Sequence, residues 1–289
     1  MRISVVGKET NQVRAIVQSD IRGIMRMVDS AWRIHIRVPP VELGSKITVM
    51  PGFLAEDHAG LRGFMVMEPQ PPHVALIVAA GLRDTWSVRP YLDLLLPEIE
   101  RAARAERLPA LAHIGNVAWL VDDLQERGFK IHEWIVAFER HGVEPPSLPT
   151  SAPAQIRSAH YNDMPTLLTL DALAFNHIWR KSAGNFNEAL ASADSFTIAE
   201  LDGQIVGYEW SERYQRHAHL TRLAVHPAYQ GRGIGAQLLH KAITDALASG
   251  VNMITLNTQE NNYRSRALYE RFGFVYTQQR MPVLWKDLG

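Results

Sequence analysis

Two stretches of the chain carry the same pattern of apolar and polar positions. VRAIVQSDIRGIMRMVDSAW runs from Val13 to Trp32, and IRSAHYNDMPTLLTLDALAF from Ile156 to Phe175. Each predicts a short strand, then an Asp (Asp20 or Asp163), then a helix whose apolar residues recur three and four positions apart. Asp in front of such a helix is suited to cap its first free amides. Near the end of each half come a helix, a Gly-Phe pair and an apolar strand, as DDLQERGFKIHEWIVAF and then ALYERFGFVYTQQRMPVLW. Asp20 and Asp163 are 143 positions apart, and Gly128 and Gly273 are 145. Two landmarks with nearly one spacing point to an internal duplication.

The second half predicts strands at 156–159, 196–201, 204–214, 219–225, 254–257 and 274–284, and helices at 164–175, 235–249 and 263–272. Asp202-Gly203 between two of the strands is a hairpin turn signal. Leu238, Leu239, Ile243 and Leu247 form one apolar helix face. The first half predicts a matching skeleton, with strands at 73–80, 110–114 and 130–138 and helices at 88–105 and 117–127. Four prolines between Gly142 and Ala154 can continue neither a helix nor a central strand. The expected organisation is a first domain over 1–144, a stiff linker over 145–154 and a second domain over 155–289. The fold class is α/β (α+β): two tandem domains, each a mixed, mostly antiparallel sheet flanked by helices.

Composition narrows the chemistry. The chain has 289 residues, with 30 Lys plus Arg against 30 Asp plus Glu. A net charge of zero gives no reason to expect nucleic acid or an anionic membrane as a partner. No window is apolar enough to span a membrane. The first residues do not pair a basic segment with a long apolar core, so a cytoplasmic location is expected. There is no Cys, which excludes disulfides and a cysteinyl acyl-enzyme. The twelve His are scattered without a close-spaced ligand set, so no metal is expected.

The informative stretch is LTRLAVHPAYQGRGIGAQLL, Leu220 to Leu239. An apolar strand ends near Val225, Pro227 forces a turn, and Gln230-Gly231-Arg232-Gly233-Ile234-Gly235 opens a helix. Glycines at alternate positions let the backbone approach a ligand. Successive amides and the free amides of the new helix then make an anion site that suits a pyrophosphate. The spacing and the antiparallel hairpin before it do not fit a dinucleotide fingerprint.

This loop resembles the Gln/Arg-x-x-Gly-x-Gly/Ala signature of the GCN5-related N-acetyltransferase (GNAT) superfamily, carried here by Gln230, Gly233 and Gly235. A second signature of that family matches Asn262, Ser265, Leu268, Tyr269, Gly273 and Phe274, with Ser265 where Ala is usual. The resemblance covers roughly the last 135 residues. It implies acetyl-CoA as acyl donor. Leu223, Ala224 and Val225 would supply backbone groups to the pantetheine arm. Gly231, Arg232, Gly233, Ile234, Gly235 and Ala236 would hold the pyrophosphate, and Asn262 and Ser265 would lie beside the arm. Tyr269 stands where the family often has a general acid. A phenol with a pKa of about 10 is protonated at pH 7 and can protonate a leaving thiolate. His219 and Glu209 are the candidates for a base, with His217 as a further one, and members without a dedicated base are also known. Phe175, Asn176, Trp179, Phe186, Tyr208, Trp210 and Tyr214 are the expected wall of an acceptor pocket.

At the equivalent place in the first half, Gly81 is the lone glycine and is followed by Asp84, Thr85 and Trp86. Leu124 stands where Tyr269 stands in the second half, and Leu has no proton to give. The first domain is therefore expected to keep the fold without the cofactor, a tandem architecture that resembles mycothiol synthase. The leading expectation is an N-acetyltransferase acting by direct attack of a primary amine on a small molecule or peptide. The alternative is a non-catalytic acyl-CoA-binding regulatory or scaffold protein. A histone or ribosomal-protein acceptor is disfavoured by the lack of acidic excess, and a homodimer is compatible with the sequence.

Overall fold

The structure, a computed structural model, describes residues 11–38, 40–147 and 153–289. The first ten residues, on which the absence of a leader was argued, and residues 148–152 of the predicted linker lie outside the described residues. The chain forms two compact units, Met1–Glu133 with Met281–Gly289, and Trp134–Arg280. This grouping differs from the compositional division at 145–154, because each half gives its last strand to the other unit.

In the first unit, strands β1 (Gln12–Ala15), β3 (Gly52–Asp57), β4 (Gly60–Gln70), β5 (Val74–Leu82) and β6 (Ala110–Ile114) lie side by side in that order. Strand β2 (Arg33–Ile36) pairs with β5 on its other edge. Only β5 with β6 is a parallel pair. Helices α1 (Ile21–Ser30), α2 (Pro40–Ile47), α3 (Val88–Ala105) and α4 (Ala118–Glu126) flank this sheet. VALIVAAGL in β5 is apolar throughout and buried at every position, as a strand covered on both faces requires. Helix α3 buries Tyr91, Leu92, Leu95, Leu96, Ile99 and Ala103, an apolar stripe at helical spacing.

Strand β7 (Lys130–His141) starts in the first unit and crosses into the second. From Ile135 to His141 it pairs antiparallel with β12 (Met253–Gln259). The second unit's sheet runs β8 (Gln155–Ser158), β9 (Ser195–Leu201), β10 (Gln204–Tyr214), β11 (His217–Val225), β12 and β7. Its helices are α5 (Met164–Ala174), α6 (Ala183–Ser192), α7 (Ile234–Ala248) and α8 (Tyr263–Arg271). Strand β13 (Val275–Asp287) leaves this unit, and its residues 283–287 pair with β6. The strands are mixed in direction and mostly antiparallel, as expected, but they join in one sheet and not in the two tandem sheets expected from the sequence.

The Asp202-Gly203 hairpin forms as predicted, with φ of 51° and 75° at the two positions, the left-handed pair of a tight turn. Asp20 and Asp163 act differently from the expectation. Neither caps α1 or α5 with its side chain. Each instead ends a short 3-10 turn and accepts the amide of Val17 or His160, because an Arg pulls its carboxylate back towards β1 or β8. Strands β2 to β4 and helices α2 and α6 are elements that the pattern of apolar positions did not reveal.

Candidate functional site

Strands β11 and β12 pair in parallel from His217↔Met253 to Leu220↔Leu256 and then separate. A register shift at Trp210/Ser211 in the β10–β11 pairing marks the point of divergence, since a bulge bends and twists a strand. Beyond it, Arg222 to Val225 pair with β10 on one edge and have no β12 partner on the other. The glycine loop and α8 stand at the open end of this wedge.

Around the wedge is a cavity of about 1160 Å³. Leu223, Ala224, Val225, all seven residues from Gln230 to Ala236, Asn262 and Ser265 line it. Every residue expected to hold the cofactor is thus brought to one place. Gly231 and Gly233 have φ of 85° and 90°, conformations that side chains rarely adopt. Gly233 is the N-cap of α7, whose free amides open there. A Cβ on Gly235 would touch Leu268 and Val225 at 3.5 and 3.6 Å, so this glycine lets helix, strand and loop close together.

The lining also contains Arg140, Arg232, Arg264 and Arg271, and no Asp or Glu. In a chain with equal numbers of each charge, that segregation makes the cavity, among the described residues, positively charged. The arrangement fits the phosphates of a coenzyme A. Some individual roles differ from those implied by the family. The Gln230 side chain folds back, donating from Nε2 to the Val225 carbonyl at 3.1 Å. Its Oε1 accepts from Arg264 Nη1 at 2.8 Å. Arg232 lies over the Tyr229 ring, 5.1 Å from its centroid. Asn262 caps α8 by accepting the Ser265 amide at 3.2 Å, the local reason why this helix begins where it does.

Tyr269 is buried, with its ring against Phe138 and Phe274. It does not itself line the cavity, but Ser265, its hydrogen-bond partner one turn earlier, does. Burial pushes the Tyr269 pKa up to about 12, and the Ser265 hydrogen bond offsets only part of that. The phenol keeps its proton well above neutral pH.

The three base candidates are placed apart from the cavity lining. Glu209 is fully buried. It faces away from Tyr208 and Trp210, as its alternation suggested, yet towards α7 and not into an open cleft. Its carboxylate accepts hydroxyls from Ser195, Thr197 and Ser211 at 2.8, 2.9 and 3.1 Å. Desolvation raises its pKa to about 7, against the pull of those three bonds. His217 and His219 share the Thr255 hydroxyl at 3.0 and 2.9 Å. Burial lowers the His219 pKa, which keeps that imidazole neutral at pH 7.

Most of the expected aromatic wall is core. Phe186, Tyr208 and Trp210 are buried together with Phe196, their rings 5.2 to 6.3 Å apart. The packing of α5 and α6 on this face covers them. Phe175 does line the cavity. Its ring centroid is 3.4 Å from the Arg222 guanidinium carbon, a cation–π contact. Arg222 in turn is paired with buried Asp171 on α5, which also accepts the Tyr208 hydroxyl and the Lys181 amide. Sequence reading missed this network, because its members lie on separate elements.

The first unit has the same divergence with a different filling. Strands β5 and β6 pair only from Ala75↔Leu111 to Ile77↔His113. The edge of β5 beyond Ile77 is occupied by β2, from Ile36↔Ala79 to Arg33↔Leu82, and the Arg37 amide adds a bond to Val78. Arg33 Nη1 donates to the Trp86 carbonyl at 2.9 Å and so ties down the loop after β5. His35 and His113 lie ring to ring at 4.4 Å behind this strand. Leu124 is part of the core.

Among the described residues no group of three His, Cys, Asp or Glu could hold a metal ion. No helix among them is long and apolar enough to cross a membrane.

Comparison with known proteins agrees with the geometry. Residues 162–274 match the Acetyltransferase (GNAT) family model. The L-amino acid N-acyltransferase MnaT of Escherichia coli (strain K12) is 28% identical over 134 residues, covering 40% of this chain and 77% of that protein. A GCN5-related N-acetyltransferase from Sphaerobacter thermophilus superposes with a TM-score of 0.66, at 15% identity over 96% of both chains. A tandem GNAT protein from the clavulanic acid biosynthesis pathway superposes with a TM-score of 0.69, at 13% identity over 97% of this chain and 99% of that one. The chain carries the fold of the GNAT acetyltransferase superfamily.

Proposed function

We propose that the second unit binds acetyl-CoA in the arginine-lined cavity and transfers its acetyl group to a primary amine of a small molecule or peptide. The carrying observation is that cavity, with its left-handed glycines, four arginines and no carboxylate, at the unpaired edge of β11. Acetyl-CoA supplies an acyl group activated as a thioester. The backbone of Leu223 to Val225, at the edge of β11 that β12 leaves unpaired, positions it, and an amide there polarises its carbonyl. Tyr269 holds a proton at its hydroxyl for the departing sulfur, one helical turn from the cavity-lining Ser265. His219, neutral and held by Thr255, is the better placed base of the two first considered, since all the partners of Glu209 are internal. No Cys is present to form an acyl-enzyme, so the amine attacks directly.

The tandem reading belongs to this proposal. The first unit repeats the strand divergence but fills it with its own β2, so it holds no coenzyme A. The name of the E. coli relative makes α-amines of amino acids the first acceptors to test. Acetyl-CoA with a panel of amino acids, amines and short peptides, followed by thiol release, tests the function. Turnover with any amine supports it. Binding of acetyl-CoA without turnover across the panel favours the alternative of a non-catalytic acyl-CoA-binding protein, a reading to which the core-packed Tyr269 ring lends some support.

A further inference from the structure

The cavity continues past the glycine loop to the far end of α8, where a cation waits without a full set of partners. Arg140 comes from β7, the strand that the first half gives to this unit. It lines the cavity with only 9% of its surface exposed. Its Nε donates to the Phe272 carbonyl at 3.1 Å and its Nη2 to the Glu144 carbonyl at 2.5 Å. The first bond caps the last turn of α8 and its negative dipole end, and the second holds the segment that follows β7. Nη1 is buried and has no hydrogen-bond partner. A buried charged donor left unpaired is costly, so capping alone does not account for the whole guanidinium.

Arg140 does not stand alone. A Cβ on Gly273 would come within 3.7 Å of Arg140 Nε, and Arg271, two positions before Gly273 at the end of α8, also lines the cavity. Arg264 belongs to the other end, where it is bonded to Gln230 of the loop. From Arg264 to Phe272 the helix rises about 12 Å. A pyrophosphate seated on the loop amides therefore leaves the Arg140 end to a second, separate anionic group.

We infer that Arg140, together with Arg271, reads the 3′-phosphate of coenzyme A, so that the protein distinguishes coenzyme A from 3′-dephospho-coenzyme A. Coenzyme A carries one anionic group apart from its pyrophosphate, and it is this one. The inference rests on the coenzyme A reading of the cavity. It also assigns a task to the first half of the chain, which supplies a phosphate-binding residue through its exchanged strand.

Calorimetric titration of coenzyme A and of 3′-dephospho-coenzyme A into the full chain tests it, with Arg140→Gln and Arg271→Gln beside the wild type. The wild type is expected to prefer coenzyme A by roughly tenfold or more, the ratio that one charge-assisted hydrogen bond corresponds to. In each variant that ratio falls towards one through loss of coenzyme A affinity, while affinity for the dephospho form is held. Equal affinities in the wild type, or an unchanged ratio in both variants, would overturn the inference and leave the cavity reading standing. Failure of the folded wild type to bind either molecule would overturn the cavity reading itself. Should Arg140→Gln fail to fold, the wild-type ratio and the exposed Arg271→Gln variant still decide.

Discussion

Arg157 grips Asp163 through two parallel bonds, Nη1 to Oδ2 at 2.8 Å and Nη2 to Oδ1 at 2.9 Å. The same pair recurs 143 positions earlier, where Arg14 holds Asp20 at 2.7 and 2.9 Å. In both places the Arg Nε reaches a glutamate on a neighbouring strand, Glu200 or Glu56. In both places the aspartate also accepts an amide from three residues before it. The arginine holds each aspartate pKa below the ordinary carboxylate value. The repeated clamp agrees with the near-equal spacing of landmarks in the two halves. The first unit has the clamp without a glycine-rich loop, and in both units the clamp sets the entry of a helix.

Gly233 offers the plainest test of where the ligand sits. Its φ of 90° admits a side chain only with strain, and it opens α7 beneath the loop. Titration of acetyl-CoA into the wild type is expected to show one site per chain, and Gly233→Trp to abolish it. Two sites would mean that the first unit binds as well. Undiminished binding by the variant would place the ligand elsewhere.

Tyr269→Phe removes the proposed proton donor and keeps the ring packed on Phe138 and Phe274. Loss of a positioned acid costs on the order of a hundredfold in rate. We expect kcat to fall by about that factor, with KM for acetyl-CoA within a few fold. Because the Tyr269 pKa lies at about 12, the wild-type rate should show no falling limb from this group up to pH 10. An unchanged kcat in the variant would remove the role.

Glu209 makes stability depend on pH in a direction opposite to most carboxylates. Its folded pKa of about 7 stands above the model-peptide value of 4.5. Between those values the native state keeps the proton and the unfolded chain releases it, so stability falls as pH rises from about 4.5 to 7. Above 7 the full cost is present, on the order of 3 kcal/mol. Glu209→Gln should therefore gain on the wild type at pH 8 relative to pH 5, in denaturant melts of both proteins. His35 and His113 are pushed the other way, to about 4 and 2, by desolvation. They cost stability below about pH 6.5, equally in both proteins, and drop out of the comparison. A gain independent of pH would show that Glu209 does not titrate in this range.

Asp171 and Arg222 form a buried ion pair. Removing one member leaves the other uncompensated, typically a loss of about 3–5 kcal/mol. Asp171→Ala should destabilise by about that much in urea unfolding. The double variant with Arg222→Met should recover a good part of it. A loss below about 1 kcal/mol would mean that the pair is solvated and does not anchor α5 to β11.

The parts of the site that were legible in the sequence are local ones. Alternating glycines specify left-handed backbone at Gly231 and Gly233 without help from distant residues, and Asn262 caps its own helix through a residue three positions on. The long-range contacts of Arg140 and Arg222 were not legible in the same way. Arg140 reaches Phe272 across 132 positions, and Arg222 reaches Asp171 across 51. Alternation told correctly that Glu209 faces away from Tyr208 and Trp210. It could not tell which face of the sheet a helix would cover, and so it mistook core for wall at Phe186, Tyr208 and Trp210.

The sequence by itself determined the order of the main elements, the hairpin at Asp202-Gly203, the glycine-rich loop that opens a helix and the near-repeat of the two halves. All of these follow from backbone preferences and short-range periodicity. Only the tertiary structure decided that the two halves exchange their last strands. Only it showed that β2 closes in the first unit the edge that stays open in the second, and that an arginine from the first half completes the cavity of the second. Strand partners are chosen by burial and register over the whole chain, and residues more than a hundred positions apart leave no mark of their meeting in local pattern.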